Sequence, residues 1–150
     1  MRPTTRSIKW FTFLKLPAAY FAGVRVSEIN KDGCIVSVRL KWINQNPFKS
    51  MFWAVQGMAA ELSTGALIMS SLHSSDIKAS MLLIETKATF SKKAVGKITF
   101  NCKQGAEVSK AVVKSSTDGP QQLWLHANGI DSAGDKVSSF SFLWSIKTKN

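Results

Sequence analysis

Apolar residues recur along this chain with two periods, one helical and one of two residues, and the changes of period divide it into elements. Residues 8–21 carry apolar positions at helical spacing that Pro17 interrupts, which predicts an amphipathic helical segment broken at that point. Residues 24–29 and 34–42 alternate between apolar and polar positions on either side of a turn, which predicts a β-hairpin. The apolar face predicted for its second strand consists of Cys34, Val36, Val38, Leu40 and Trp42.

The most apolar stretch of the chain lies at residues 50–72, where a helix is expected with Ser50 as its N-cap. Its apolar positions leave little room for a polar face, which is typical of a buried helix. The stretch is long enough to span a bilayer, but it contains Glu61 and several amide and hydroxyl side chains, which are costly at membrane depth. A buried helix is therefore predicted, and no integral membrane segment.

From residue 81 onward the period of two returns, which predicts four antiparallel strands with a short helix at 104–116. The strands are residues 81–90, 97–103, 122–130 and 137–146. The buried face predicted for the first of them consists of Leu82, Ile84, Ala88 and Phe90. The long helix thus lies between a hairpin and a four-strand meander, which predicts an α+β fold with one sheet of about six strands around a central helix.

The 150 residues suffice for one domain, with residues 1–23 expected to pack on it as an amphipathic segment. The apolar fraction of 45% excludes intrinsic disorder. Basic residues ahead of an apolar run loosely resemble a secretory signal, but Lys15 and Pro17 interrupt that run. The two cysteines lie in apolar strands without metal-binding spacing, so reduced core cysteines and a cytoplasmic location are expected.

The chain is strongly basic, with 20 Lys and Arg against 9 Asp and Glu and a formal net charge of +11. This excess favours an anionic partner such as a nucleic acid, a membrane surface or a phosphate-bearing ligand. Lys92-Lys93 is the only adjacent basic pair, so the concentrated arm that grips nucleic acid is missing from the sequence. A nucleic-acid partner is accordingly disfavoured.

Glu61 is the only charged side chain between Lys49 and His73, in the middle of the most apolar helix. Burial of an ionised carboxylate is costly, so Glu61 is paired, has a raised pKa, or lines a cavity. A cavity-lining carboxylate can serve as a general base towards water or as a nucleophile. The alternative is a structural glutamate that accepts hydrogen bonds from a neighbouring chain or from Gln56, Ser63 or Thr64.

Several features of the chain occur together: Asn44-Gln45-Asn46-Pro47 before the helix, Glu61 fifteen positions after Asn46, Gly65 one turn later, and Thr89 to Gly96 before a strand. Together they resemble the hotdog superfamily, in particular its thioesterase branch, over residues 24–147. The resemblance implies a central helix wrapped by an antiparallel sheet. It also implies a homodimer or homotetramer whose active site, at a subunit interface, acts on an acyl thioester of coenzyme A or of a carrier protein.

The resemblance assigns roles to individual residues. Glu61 matches the catalytic acid and Asn46 the polar loop residue that faces it, while the backbone amides of Phe52 and Trp53 would stabilise an oxyanion. Candidates for substrate binding are Thr64, Gly65, Lys92, Lys93 and Lys97. The three lysines would hold the phosphates of coenzyme A, although a charged turn that protects sheet edges is the favoured alternative for them. No metal and no cofactor are expected.

One departure from the family pattern concerns the start of the helix. Phe52-Trp53-Ala54 stands where active members often have a His-Gly pair, and these bulky rings would fill space that a substrate approaches. Nucleophile-elbow, P-loop and dinucleotide motifs are missing from the sequence. The leading hypothesis is an acyl-CoA thioesterase, a hydrolase. The alternatives are a non-catalytic acyl- or lipid-binding module of the same fold, and a basic membrane- or nucleic-acid-binding protein led by residues 2–21.

Overall fold

Two short helices open the part of the chain that the structure describes. A computed structural model describes residues 4–149, apart from the side chain of Thr5, so Arg2 of the basic N-terminal segment lies outside it. Helix α1 (Thr5–Lys15) and helix α2 (Pro17–Phe21) meet at Leu16. The predicted break is confirmed: Pro17 lacks an amide hydrogen and restricts the residue before it, so a new helix begins there.

The predicted hairpin is confirmed as strands β1 (Arg25–Ile29) and β2 (Cys34–Arg39), which pair antiparallel. The prediction was wrong for the end of β2, because Trp42 lies in a 3-10 turn (Trp42–Asn44) and is 84% exposed. The buried Asn44 side chain ends the strand: its Oδ1 accepts from the Lys41 amide, and its Nδ2 donates to the carbonyls of Ala22 and Arg39.

The long helix α3 (Trp53–Ser74) has 22 residues and packs against strands β1 and β2 and the central strands of the sheet. Its predicted N-cap, Ser50, was wrong, because the helix begins after Phe52 without a side-chain cap. The Ser50 hydroxyl is instead hydrogen-bonded to the side chain of Asn46. The residues before the helix are held by backbone hydrogen bonds instead. The Met51 amide donates to the Ala94 carbonyl at 2.8 Å, and Met51 forms a β-bridge with Gln45.

The remaining elements are strands β3 (Ala79–Phe90), β4 (Lys97–Cys102), β5 (Gln121–Ile130) and β6 (Lys136–Thr148), with helix α4 (Gly105–Thr117) between β4 and β5. Their order in one antiparallel sheet is β1-β2-β4-β5-β6-β3. The predicted α+β architecture of six strands around a helix is confirmed. The predicted four-strand meander was wrong, because β3 pairs with β6 at the sheet edge and β4 pairs with β2.

The buried face predicted for β3 was wrong, because Leu82, Ile84, Ala88 and Phe90 are all exposed. Leu82 pairs with Ser145, on the opposite face of β6 from the buried Trp144, and is 65% exposed. A register shift between Leu83 and Glu85 marks a β-bulge there. Beyond the bulge Phe90 lies against the ring of Phe140, with 5.7 Å between centroids. The inserted residue changes which positions lie on the same side of the sheet as the buried side chains of β6, so one alternation cannot describe the whole strand.

The core lies between α3, α4 and one face of the sheet. Cys34 and Cys102 are buried and unbonded at paired positions of β2 and β4, as expected for core cysteines. Burial raises the pKa of the Cys34 thiol to about 12 and also raises that of Cys102. No helix within residues 4–149 is both long enough and apolar enough to span a bilayer.

Candidate active site

A cleft of about 820 Å³ lies between the N-terminal helices and the central helix. Helices α1 and α2 supply one wall, with Ile8, Phe11 and Leu16. Helix α3 supplies the other wall, with Met58, Leu62 and Met69, and Trp144 of β6 contributes its indole ring. The lining is therefore mostly apolar, and its size is within the usual range for a small-molecule site, roughly 300–1,000 Å³.

The helical repeat explains why Glu61 faces this cleft. Met58, Glu61, Gly65 and Met69 are spaced by three or four residues, so they follow one face of α3. Glu61 supplies the only carboxylate among the described lining residues, and the other ionisable side chains there are Lys15 and His73. A single acid thus lies in an otherwise apolar groove.

The Glu61 carboxyl has a raised pKa because the apolar walls remove much of the water that would surround its charged form. The side chain is nevertheless accessible, since it opens onto the cleft. Among residues 4–149, no side-chain hydrogen bond or ion pair reaches this carboxylate. The hydroxyls of Ser63 and Thr64 donate instead to the backbone carbonyls of Ala60 and Glu61. A carboxylate without a structural partner that opens onto a cleft is available for chemistry.

Thr64 and Gly65 have different places beside Glu61. Thr64 is fully buried beneath the cleft, where its Oγ1 accepts a 2.9 Å hydrogen bond from Nε1 of Trp144. Gly65 lines the cleft, and a Cβ placed there would meet the Trp144 ring at 3.5 Å. Of this pair, only Gly65 is in a position to contact a ligand in the cleft.

The structure does not bring Asn46 to Glu61 within one chain. Asn46 Oδ1 accepts from the amides of Phe48 and Ser50, and its Nδ2 donates to the Ser50 hydroxyl at 3.0 Å. Asn46 is not among the residues that line the cleft. These bonds leave one N–H of the Asn46 amide for another acceptor.

Phe52 and Trp53, the candidate oxyanion donors, lie at the start of α3 and outside the cleft lining. The Phe52 amide already donates to the Asn44 carbonyl at 2.9 Å. Trp53 is the first residue of the helix, where a backbone N–H has no intrahelical acceptor. Both rings are exposed and contact each other edge to face.

The three candidate lysines lie away from the cleft lining. Lys92 bridges Asp131 at 2.7 Å and Asp135 at 2.8 Å, in the turn between β5 and β6. The two carboxylates raise the pKa of Lys92 to about 12, and Lys92 lowers the pKa of Asp131. These contacts support the alternative of a charged turn for Lys92. Lys93 Nζ donates to the Phe48 carbonyl at 3.4 Å, and Lys97 is exposed at the start of β4.

Sequence reasoning missed that the N-terminal helices form a wall of the cleft. The spacing of Ile8, Phe11 and Lys15 places them on one side of α1 and was the available signal.

His73 lines the cleft three turns beyond Glu61, while His126 lies on the other side of the sheet, hydrogen-bonded through Nδ1 to Ser141. Residues 4–149 contain no cluster of three His, Cys, Asp or Glu side chains that could hold a metal ion.

Residues 4–146 match a family described as a domain of unknown function, DUF4442. The chain belongs to this family. A comparison with curated proteins finds none that matches it.

Three of the solved structures to which this structure is similar illustrate the likeness, all at low sequence identity. A Pseudomonas aeruginosa protein of unknown function, described as a probable thioesterase, superposes with a TM-score of 0.87 at 19% identity over 99% of both chains. A Chlorobaculum tepidum TLS protein of unknown function gives 0.83 at 17% identity over 97% of this chain and 94% of the other. A Haemophilus influenzae thioesterase gives 0.74 at 10% identity over 99% and 93%. The DUF4442 chain therefore has the hotdog fold of thioesterase-like proteins.

Proposed function

We propose that this chain hydrolyses an acyl thioester whose acyl group lies in the cleft beside Glu61. The observation that carries the proposal is the single unpartnered carboxylate, with a raised pKa, in an apolar groove of about 820 Å³. A general base of this kind is most effective when its pKa lies near the working pH. The similarity in fold to proteins described as thioesterases supports the same chemistry.

In the general-base form of the reaction, the Glu61 carboxylate removes a proton from a water molecule. The water oxygen attacks the carbonyl carbon of the thioester, and the tetrahedral intermediate then collapses with cleavage of the carbon–sulfur bond. The thiolate leaves and takes up the proton that Glu61 removed from the water, so the products are a carboxylic acid and a thiol and the Glu61 carboxylate is regenerated. In the nucleophilic form Glu61 attacks the carbonyl carbon itself and expels the thiolate, which leaves a mixed anhydride of Glu61 and the acyl group. Water then hydrolyses the anhydride to release the carboxylic acid and free Glu61.

We further propose that a second copy of the chain completes the site. Strand β3 is a 12-residue edge strand with exposed Leu82 and Ile84, a surface that favours pairing with another strand. Large apolar side chains are also exposed around the start of α3: Trp42, Ile43, Phe48, Phe52 and Trp53. In such a dimer the partner subunit's Asn46 would approach Glu61 and orient the attacking water. The Trp53 amide would donate a hydrogen bond to the oxyanion.

The lysines retain a narrower role in this proposal. Lys93 and Lys97 are the candidates to hold coenzyme A phosphates, because Lys92 already carries two carboxylate partners. A carrier protein with an acidic surface would meet the same two side chains.

The proposal is tested by thiol release from short, medium, long and aromatic acyl thioesters of coenzyme A. We expect turnover by the wild-type chain to be fastest with acyl groups that fill the apolar cleft. A folded protein that releases no thiol from any of these substrates would overturn hydrolysis.

A non-catalytic acyl-binding module is the second candidate function. It is favoured by the occupied Phe52 amide and by the place of Asn46 outside the cleft, since both reduce the catalytic groups available in one chain. This candidate predicts that non-hydrolysable acyl thioether analogues bind in the cleft while the corresponding thioesters remain intact. Hydrolysis of the thioesters would exclude it.

A further inference from the structure

The outer side of α1 and α2 is a continuous apolar surface. Trp10, Leu14 and Phe21 are 60%, 67% and 61% exposed, and Phe13 lies between them. We call these four residues the N-terminal apolar surface. The opposite side of α1 is turned inward, where Ile8 and Thr12 are buried. Large aromatic and aliphatic side chains that stay exposed together indicate an interaction site.

Aromatic contacts hold this surface together. The Phe13 ring lies 6.1 Å from that of Trp10, 5.0 Å from that of Tyr20 and 6.2 Å from that of Phe21, all edge to face. Phe13 therefore connects α1 to α2. The rings of the N-terminal apolar surface are held in place, because each ring is restrained by its neighbours.

Positive charge lies beside the N-terminal apolar surface. Residues 4–27 contain four cations and no Asp or Glu. Three of the cations, Arg6, Lys9 and Arg25, line a hollow of about 400 Å³ between α1 and β1, together with Thr12 and without a carboxylate. The Arg25 guanidinium lies 3.9 Å from the centre of the Tyr20 ring and donates to the carbonyls of Tyr20 and Val24.

We propose that α1 and α2 dock the protein on the surface of an anionic lipid bilayer. The N-terminal apolar surface would enter the boundary between headgroups and acyl chains, and the hollow lined by Arg6, Lys9 and Arg25 would hold a lipid phosphate. Aromatic side chains beside Lys and Arg are the composition that interfacial helices use on anionic membranes. The docking is peripheral, since no described helix can span a bilayer.

Charge decides between a bilayer and a second copy of the chain as the occupant of this surface. Two copies that met through α1 would bring their cations together without an acid in residues 4–27 to offset them. An anionic bilayer offers the opposite charge over the whole surface. This inference does not depend on hydrolysis, and loss of activity would leave it unaffected.

Co-sedimentation of the full chain with vesicles tests the proposal. Vesicles of phosphatidylcholine alone are compared with vesicles of equal parts phosphatidylcholine and phosphatidylglycerol, at low and high salt. We expect binding to the anionic vesicles at least about tenfold tighter than to the neutral ones, weakening as salt rises. Equal binding to both kinds of vesicle, or binding to neither, would overturn the proposal.

Two double variants locate the surface, and each has a matched control. Trp10→Ser with Leu14→Ser removes apolar side chains, and Val95→Ser with Val113→Ser removes exposed ones elsewhere. Arg6→Gln with Lys9→Gln removes charge at the hollow, and Lys103→Gln with Lys110→Gln removes it elsewhere. We expect the N-terminal pairs to weaken binding to anionic vesicles at least about tenfold and the controls to change it little. Controls that weaken it as much would show that the surface was misplaced.

Two further measurements distinguish a bilayer from a second copy of the chain and from nucleic acid. Hydrogen exchange is measured on the wild-type chain, so its result does not depend on whether a variant folds. Anionic vesicles should protect amides within residues 5–21 more than any others. Protection of other amides without protection of residues 5–21 would contradict the assignment.

Sedimentation of the Trp10→Ser, Leu14→Ser variant without lipid should match that of the wild type. Loss of self-association in that variant would show that a second copy occupies the surface, and tight binding of an oligonucleotide lost in the Arg6→Gln, Lys9→Gln variant would point to nucleic acid.

Discussion

The indole Nε1 of Trp144 donates a 2.9 Å hydrogen bond to the Thr64 hydroxyl, which itself donates to the Glu61 carbonyl at 2.8 Å. This pair joins strand β6 to helix α3 directly beneath the cleft. Replacement of Thr64 by Val keeps the shape of the side chain and leaves the indole N–H without its acceptor. We expect the free energy of unfolding to fall by about 1–3 kcal/mol, the usual cost of an unpaired buried donor.

Urea denaturation measures this loss, and Thr64→Ser is the matched control because it keeps the hydroxyl. The Ser variant should lose less stability than the Val variant. If Thr64→Val proves as stable as the wild type, the bond between β6 and α3 contributes nothing to the cleft floor.

Two substitutions at Gly65 distinguish an effect on folding stability from an effect on substrate binding. A Cβ at this position meets the Trp144 ring at 3.5 Å, an ordinary contact, so Gly65→Ala should fit and stabilise the helix by about 0.5–1 kcal/mol. Gly65→Leu instead projects into the cleft and should lower kcat/KM for acyl thioesters roughly tenfold or more, because it displaces part of the acyl group. Kinetics with both variants check this, and equal activity in the Leu variant and the wild type would remove the cleft as the acyl site.

The raised pKa of Glu61 predicts a pH dependence of stability. In the folded state its carboxyl holds a proton to higher pH than in the unfolded state, so the folded chain binds more protons in the window between the two pKa values. Stability from this group is fully present below the unfolded pKa and is lost as pH rises through the folded pKa. The free energy of unfolding of the wild type, relative to Glu61→Gln, should fall as pH rises through this window. Urea titrations at a series of pH values measure the difference, and a constant difference contradicts the predicted shift.

The exposed edge strand predicts self-association through β3. Leu82→Lys with Ile84→Lys places charge on this edge and should convert a dimer into monomers at the same protein concentration. Sedimentation velocity measures the change. Val113→Lys, which replaces an exposed apolar side chain on α4, should leave the oligomeric state unchanged. A dimer that survives the β3 substitutions must use another surface.

Periodicity within single elements was enough to predict most of the secondary structure. Ile98, Phe100 and Cys102 alternate into the core as predicted, and the apolar length of α3 predicted a buried central helix. Features set by distant contacts could not be predicted in this way. The pairing of β3 with β6 places a long connection between neighbours, and the bulge near Ile84 depends on β6.

The candidate site also combines a feature that local sequence pattern predicts with others that depend on distant contacts. Glu61 could be singled out from the sequence because one charge interrupts an apolar helix, a purely local signal. The wall that faces it belongs to α1 and α2, which reach the cleft only after α1 has packed on β1 and α2 on α3. The place of Asn46 in a loop held by Ser50 was equally beyond local pattern, because the spacing that predicted Ser50 as an N-cap fits several conformations of residues 46–52.

The most direct test of the central claim compares kcat/KM for the best acyl thioester between the wild type, Glu61→Gln and Glu107→Gln. Glu107 is an exposed acid on α4, so its variant removes a carboxylate far from the cleft. We predict that Glu61→Gln lowers thiol release by about 100-fold or more, as expected for loss of a general base, while Glu107→Gln keeps wild-type activity. Turnover retained in a folded Glu61→Gln variant would contradict the assignment of Glu61 as the catalytic carboxylate.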